Sequence, residues 1–117
     1  RLLQLSRVHV YLTYPFVLSW SLFEAMSVEA AIVASDTGPL KEAIRHGETG
    51  RLVDFFDSEA LVAEVCTLLE DAEMRAALGR AARRHIVQNY DLRSHCLPAQ
   101  LQWIDQLAQV TPQPLRD

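Results

Sequence analysis

Hydrophobic and polar positions show two different periodicities along the chain. Up to about residue 54, short apolar runs alternate with segments of helical spacing, and beyond that point only helical spacing occurs. Three β-branched apolar runs predict strands at about 8–12, 31–34 and 51–53, and the stretches between them predict helices at about 19–28 and 39–45. Such alternation predicts an α/β fold with three parallel strands joined by right-handed crossovers.

The second part of the chain predicts a helical C-terminal extension, with helices at about 58–70, 73–89 and 92–110. Their apolar stripes consist, in chain order, of Leu61, Val65, Leu68 and Leu69, of Met74, Leu78, Ala82 and Ile86, and of Leu97, Leu101, Ile104 and Leu107. Pro98 must begin a helical segment or kink one. Arg80, Arg83 and Arg84 fall outside the stripe of their helix and are expected to face solvent.

Polar residues and prolines mark the predicted helix starts: Ser19 or Ser21, Pro39, Asp57 or Ser58, and Asp91. Glu24 is expected in the first turn of its helix, where a carboxylate interacts favourably with the helix dipole. Cys66 and Cys96 both lie in apolar helical patterns, so each is expected to act as a small hydrophobic side chain.

Length and composition restrict the domain organisation. With 117 residues, of which 50% are hydrophobic, the chain is expected to form one folding unit. Three strands are fewer than the usual five or six, so part of the sheet is expected to lie outside this sequence. The chain begins with Arg1 rather than Met, which favours a natural start further upstream.

Charge and residue patterns argue against several classes of partner. The net charge of −4 and pI of about 5.5 provide no positive surface for nucleic acid. The longest apolar stretches are well below the roughly 20 residues of a membrane-spanning helix. The four histidines include no pair at helical metal-ligand spacing, so no metal site is expected.

Three consecutive blocks carry a family resemblance. Residues 22–26 (LFEAM), 32–38 (IVASDTG) and 47–53 (GETGRLV) resemble, in order and spacing, the C-terminal domain of glycosyltransferase family 4. The resemblance implies the distal half of a Rossmann-like GT-B donor domain. It also implies retaining, metal-independent transfer of a sugar from a nucleotide diphosphate donor, without a cofactor, to a glycan or lipid-linked acceptor.

The same resemblance implies partners and a location. The acceptor would bind an N-terminal domain of the same enzyme that is absent from this sequence, so the isolated chain is expected to be inactive. The family implies a cytoplasmic enzyme that makes glycans such as bacterial cell-surface polysaccharides, with the inner face of the membrane as the alternative location.

The family signature is a pair of glutamates eight positions apart. Glu24 matches the second, which accepts hydrogen bonds from the donor ribose, whereas Phe16 stands where the first would be. Val17 and Ser19 replace glycines that normally follow the first glutamate. A further departure is the turn at 27–29, where the family has small residues and this chain has Ser-Val-Glu.

Strand order places the candidate site independently of the motif. In doubly wound sheets, ligands bind beyond the carboxyl ends of the strands where the strand order reverses. If the chain holds strands four to six, as the family implies, strand 8–12 lies at that reversal, and the next helix directs its N-terminus at a diphosphate. The candidate donor-binding residues are therefore Val17, Ser19, Trp20, Ser21, Leu22, Glu24 and Gly38.

Other residues near this edge have structural alternatives. Trp20 and Tyr14 can stack on a base, but aromatic residues beside Leu22 and Phe23 more commonly belong to a core. Asp36 can act as an acid, but an aspartate that opens a turn more commonly bonds its own backbone. Gly47 and Gly50 indicate an ordinary turn.

Two functional alternatives remain at this point. One is a nucleotide-sugar epimerase of the same fold, and the other is a non-catalytic interaction module that has lost the first glutamate. In either case strand 8–12 lacks a neighbour on one side, so we expect self-association through its unpaired backbone groups.

Overall fold

The strands of the computed structural model form one parallel sheet. The structure describes residues 2–14 and 17–109. Within them, β1 (His9–Tyr11), β2 (Ile32–Ser35) and β3 (Arg51–Val53) lie in the order β1-β2-β3. β1 pairs with β2 through His9 and Ile32, and β2 pairs with β3 through Val33 and Arg51. This arrangement confirms the predicted α/β fold, and each strand lies within one residue of its predicted limits.

Six α-helices are described, and five of them were predicted. They are α1 (Leu2–Leu5), α2 (Trp20–Ser27), α3 (Gly38–Ala43), α4 (Ser58–Glu70), α5 (Ala72–Tyr90) and α6 (Leu97–Ala108). The missed helix, α1, has only four residues, which is too short for a helical period to be recognised in the sequence. No helix in the described ranges combines the length and apolar character that crossing a membrane requires.

Two apolar clusters cover the two faces of the sheet. Ile32 and Ala34 of β2 pack with buried residues of α2, α3 and α5. The intervening Val33 packs on the other face with Leu68 of α4 and Leu78 of α5. Alternate residues of a strand point to opposite faces, so β2 contributes to both clusters and is buried throughout.

The corner between α4 and α5 consists of a single residue, Asp71. Its backbone N–H donates to Thr67 O at 3.0 Å, and its carboxylate accepts the N–H of Met74 at 2.8 Å. Asp71 therefore ends one helix and begins the next. Arg75 closes the corner by donating to the carbonyls of Leu68 and Leu69, both at 2.6 Å.

The turn after α2 is held against α5 by an unusually close approach. Glu29 has a φ of 64°, the left-handed conformation that favours glycine. A Cβ at Gly79 of α5 would lie 2.1 Å from Glu29 O, so only glycine fits there. Arg83 secures the same turn, donating to Ser27 O and lying 3.8 Å from the Glu29 carboxylate.

The described chain divides into two compact units rather than the single unit expected from its length. The first ends at Val87 and the second begins at Gln88. In the second unit, Asp91 accepts the N–H of Ser94 at 2.8 Å and begins one π-helical turn, Leu92–Cys96. Pro98 lies in the first turn of α6, where proline is tolerated, and the π-helical turn leads directly into that helix.

Several predicted burials are wrong. The α6 stripe of Leu97, Leu101, Ile104 and Leu107 is exposed, because a helical period shows which side chains share a face but does not supply a surface for them. Leu69 is exposed at the end of α4. Cys66 is exposed as well, so its thiol is not the core hydrophobe that was expected. Arg80, Arg83 and Arg84 are exposed, as predicted.

We predict that Gly79→Ala destabilises the protein by about 1–3 kcal/mol, because the added methyl group forces α5 away from the Glu29 carbonyl. The measurement is the urea midpoint of unfolding. Gly38→Ala is the matched control, since a Cβ there would meet no atom within 4 Å. Equal midpoints for the two variants would contradict this close packing.

We expect Glu29→Gly to be more stable than Glu29→Ala by about 1 kcal/mol. Both variants lose the exposed ion pair with Arg83, but only glycine adopts the positive φ without a steric cost. Thermal unfolding of the two variants measures the difference. If alanine is tolerated equally well, residue 29 is not held in the left-handed conformation in solution.

Candidate functional site

Three connections meet at the carboxyl edge of the sheet. Residues 12–14 and 17–19 follow β1, Asp36 and Thr37 follow β2, and residues 54–57 follow β3. Because the strands are parallel, these segments emerge at the same edge. In open parallel sheets this is the edge at which ligands bind.

Hydrogen bonds from β2 hold the neighbouring connections in place. The fully buried Ser35 hydroxyl accepts the N–H of Thr13 at 3.0 Å and donates to Thr13 O at 2.6 Å. On the other side, the N–H of Asp36 donates to Val53 O at 2.6 Å. The ends of all three strands are thus tied to one another, which gives the edge a fixed shape.

Ser19 organises the N-terminus of α2. Its N–H donates to the Tyr11 hydroxyl at 3.2 Å, which anchors the start of the helix to the end of β1. Its hydroxyl accepts the N–H of Ser21 at 3.3 Å and lies 2.9 Å from the Ser21 hydroxyl. Of the two predicted caps, Ser19 is therefore the one that the structure uses.

Helix α2 also carries the exposed carboxylate of Glu24. No side chain in the described ranges pairs with it, and it is the fifth residue of the helix. The expectation that Glu24 lies in the first turn is wrong, because the helix begins at Trp20. Its interaction with the helix dipole is correspondingly weak, since that interaction fades beyond the first turn.

The other candidate residues on and before α2 differ sharply in exposure. Leu22 is fully buried, so its side chain is part of the core. Its backbone N–H donates to Ser19 O at 3.1 Å. Trp20 is 84% exposed and Val17 is also exposed. Trp20 was a donor-binding candidate with the core as its structural alternative; it lies about 200° around the helix from Leu22 and so faces away from the buried side, which excludes the core alternative.

Tyr14 had the same two alternatives, stacking on a base or burial in the core, and the structure excludes the core for it as well. It is exposed, and its ring lies edge-to-face against Phe55 at 5.4 Å and against Phe56 at 5.6 Å. The two phenylalanines were missed in the sequence as part of this edge. The signal was available, because they begin two residues after the last residue of β3.

Gly38 and Asp36 lie at the end of β2. Gly38 is exposed at the first position of α3, and open space surrounds the position of a Cβ. Asp36 was expected to bond its own backbone; its carboxylate instead lies 2.9 Å from the Lys41 ammonium. Asp36 thus forms an exposed ion pair with a residue of α3.

Two features bear on the chemistry that the edge can perform. Phe16, which stands at the position of the first signature glutamate, lies outside the described residues. Among the residues that are described, no group of three His, Cys, Asp or Glu side chains is placed to hold a metal ion. The described edge therefore offers the N-terminus of α2, the Glu24 carboxylate and the space beside Gly38.

The sequence matches one protein family over most of its length. The family model described as glycosyl transferases group 1 matches residues 1–85. A lipopolysaccharide core biosynthesis mannosyltransferase of Rhizobium leguminosarum bv. viciae is 41% identical over 69 residues, which cover 59% of this chain and 20% of that protein. A phosphatidyl-myo-inositol mannosyltransferase of Mycolicibacterium smegmatis is 38% identical over 71 residues, with 60% and 18% covered.

Solved structures share the fold. The HepE protein of Anabaena in complex with UDP-glucose superimposes with a TM-score of 0.80 at 22% identity, over 93% of this chain and 29% of that one. A sucrose-phosphate synthase of Thermosynechococcus elongatus gives a TM-score of 0.73 at 24% identity, over 86% and 26%. Both likenesses bear out the predicted Rossmann-like GT-B domain.

We predict that Ser19→Ala lowers the free energy of unfolding by about 1 kcal/mol, because α2 loses its side-chain cap. Ser19→Gly should cost only a few tenths of a kcal/mol, since glycine leaves the helix end accessible to water. Urea unfolding of both variants provides the comparison. A larger loss for glycine than for alanine would show that Ser19 does not act as a cap.

Proposed function

The chain belongs to the group 1 glycosyl transferases, and from this premise we propose that it binds the nucleotide diphosphate sugar donor of such an enzyme. The matched regions span about a fifth of the curated relatives, 20% and 18% of the two mannosyltransferases. The acceptor site is therefore proposed to lie in an N-terminal domain elsewhere in the intact protein. The isolated chain is proposed to be inactive.

The observation that carries the proposal is the free carboxylate of Glu24 near the carboxyl end of β1. It is exposed, has no partner in the described part of the chain, and follows the N-terminus of α2 by one turn. A carboxylate accepts two hydroxyl hydrogen bonds without rearrangement, which suits the adjacent hydroxyls of a ribose. We assign Glu24 this role.

The N-terminus of α2 suits the diphosphate. In the structure the Ser19 hydroxyl oxygen already accepts the Ser21 N–H at 3.3 Å, a long hydrogen bond. A phosphate oxygen is a stronger acceptor and gains from the helix dipole, so we propose that it replaces the hydroxyl when the donor binds. Trp20 and Val17 flank this position and are exposed.

The nucleotide and the sugar are proposed only as classes. The HepE structure was solved with UDP-glucose, and one relative is a GDP-mannose-dependent phosphatidylinositol monomannoside mannosyltransferase. These proteins support a nucleotide diphosphate hexose as donor. Gly38 leaves open space at the same edge, and we propose that the hexose occupies it.

The acceptor is proposed to be a glycan or a lipid-linked sugar. The names of the two mannosyltransferases, which act in lipopolysaccharide core synthesis and on phosphatidyl-myo-inositol, support this class. Transfer with retention of configuration follows the family resemblance. A cytoplasmic location at the inner face of the membrane fits such acceptors and remains part of the proposal.

The edge of β1 is proposed as a contact site. Among the described residues, β1 pairs only with β2, and Val10 is exposed on it. An unpaired edge accepts a further strand. In the intact protein this strand comes from the preceding half of the domain, and in the isolated chain a second copy takes its place.

We predict that Glu24→Ala in the intact enzyme weakens donor binding by about 2–4 kcal/mol, roughly 30- to 1000-fold in Kd. The expected cause is the loss of two charged hydrogen bonds, partly replaced by water. Calorimetric titration with UDP-glucose and with GDP-mannose measures the effect. The donor affinity of Glu24→Gln should lie between those of the wild type and Glu24→Ala.

Glu70→Ala is the matched control, because Glu70 is an exposed glutamate at the end of α4. Its donor affinity and melting temperature should stay close to those of the wild type. Equal donor affinities for wild type and Glu24→Ala would rule out the ribose role. Absence of any nucleotide binding by the wild type would instead overturn the proposed function.

A further inference from the structure

The hydroxyl group of Tyr11 lies at the carboxyl end of β1 and has a hydrogen-bonding function left over. Its oxygen accepts the backbone N–H of Ser19 at 3.2 Å. A phenol can accept one hydrogen bond and donate another at the same time. Within residues 2–14 and 17–109, no acceptor takes the Tyr11 proton. A free hydroxyl proton therefore lies next to the N-terminus of α2.

The Tyr11 oxygen is held in place from two directions. Residue 11 lies opposite Ala34 in the strand register, and its partly buried ring packs against the apolar cluster that α2 covers. The Ser19 N–H fixes the far end of the same side chain. Only rotation about the C–O bond remains, so Tyr11 can turn its hydroxyl proton towards a ligand at little entropic cost.

The neighbouring polar groups also lack an acceptor. The N–H of Trp20, the first residue of α2, has no partner in the described part of the chain. The hydroxyls of Ser19 and Ser21 lie 2.9 Å apart, and this one hydrogen bond uses only one of their two protons. A ligand that satisfies all of these groups brings several acceptor oxygens, and charged phosphate oxygens accept the strongest hydrogen bonds.

We infer that the Tyr11 hydroxyl donates a hydrogen bond to the diphosphate of the nucleotide sugar. This inference rests on the proposed function, which assigns the diphosphate to the N-terminus of α2. Ser19 is the N-cap of that helix, so the Tyr11 oxygen lies 3.2 Å from the backbone nitrogen that directly precedes the helix. Because this oxygen already accepts an N–H, its own proton is polarised and forms a stronger hydrogen bond.

A purely anchoring role for Tyr11 predicts a different response to the ligand. If the hydroxyl only accepts the Ser19 N–H, bound phosphate leaves the electron distribution of the phenol unchanged. If the hydroxyl donates to phosphate, negative charge moves onto the phenol oxygen and ring. The NMR resonance of the ζ carbon, which bears the hydroxyl, separates the two roles, because it moves downfield as the phenol gains phenolate character.

The first test follows the Tyr11 ζ-carbon resonance of the intact enzyme during titration with UDP, GDP and inorganic pyrophosphate. We expect a downfield shift that saturates with pyrophosphate and with the nucleotide that the enzyme binds. Uridine and guanosine lack phosphate and should leave the resonance in place. This measurement uses the wild type alone, so it does not depend on the folding of any variant.

The second test compares the wild type with Tyr11→Phe, which keeps the packed ring and removes only the hydroxyl. Calorimetric titration should give a Kd about tenfold higher for the bound nucleotide, because a hydrogen bond to a charged oxygen is lost and water replaces part of it. Pyrophosphate, which has neither ribose nor base, should lose affinity by the same factor. The Kd of the corresponding nucleoside should stay unchanged.

Two variants provide matched controls. Tyr90→Phe removes another tyrosine hydroxyl, at the end of α5. Gly79→Ala lowers the stability of the protein at the turn that precedes β2, away from the carboxyl edge. Both variants should bind the nucleotide and pyrophosphate as the wild type does, at a temperature at which each variant is folded.

Either of two results would overturn the role of Tyr11. One is a ζ-carbon resonance that stays in place at saturating ligand, and the other is an equal Kd for wild type and Tyr11→Phe. If the wild type binds neither UDP nor GDP, the proposed donor function fails, and the pyrophosphate titration still decides whether Tyr11 contacts a diphosphate. Absence of pyrophosphate binding as well would refute both.

Discussion

Burial of β2 on both faces is the constraint on which the rest of the structure depends. Ile32 and Ala34 are buried by the helices on one face of the sheet, and Val33 is buried by those on the other. Ser35 is fully buried, so its hydroxyl needs hydrogen-bond partners within the protein. Ser35 does so by exchanging two hydrogen bonds with Thr13. The same bonds that satisfy a buried polar group thus position the connection after β1, where the donor is proposed to bind.

Strands and long helices could be predicted because their signals are local. Helix α4 matches its predicted limits, since Asp57 caps it and one apolar stripe runs along it. Whether a side chain is buried depends instead on which other elements pack against its helix or strand. The apolar stripe of α6 predicts a helix correctly, yet the residues of the stripe are exposed. Trp20 is exposed because it lies on the side of α2 opposite to the buried Leu22. Tyr14 meets Phe55 and Phe56 because β1 and β3 lie on either side of β2, an arrangement that no local pattern encodes.

The candidate site shows the same division. The motif singled out Glu24, which lies on α2, the helix that follows β1. The motif did not reveal that Leu22 is core, that Ser19 ties α2 to Tyr11, or that Asp36 pairs with Lys41. These details depend on distances between residues far apart in the chain. They show which atoms are free to meet a ligand, and Glu24 is the clearest of them.

The one-residue corner at Asp71 bears on how chains with this architecture can vary in length. Its backbone N–H, backbone carbonyl and carboxylate each serve a helix, and Arg75 bridges back to α4. An inserted residue would separate the hydrogen-bonding groups of Asp71 and Arg75 from their partners in the two helices, so we expect insertions to be poorly tolerated there. Variation in chain length is therefore expected in surface connections elsewhere, where a longer loop adds little to the free energy of folding, and not at this corner.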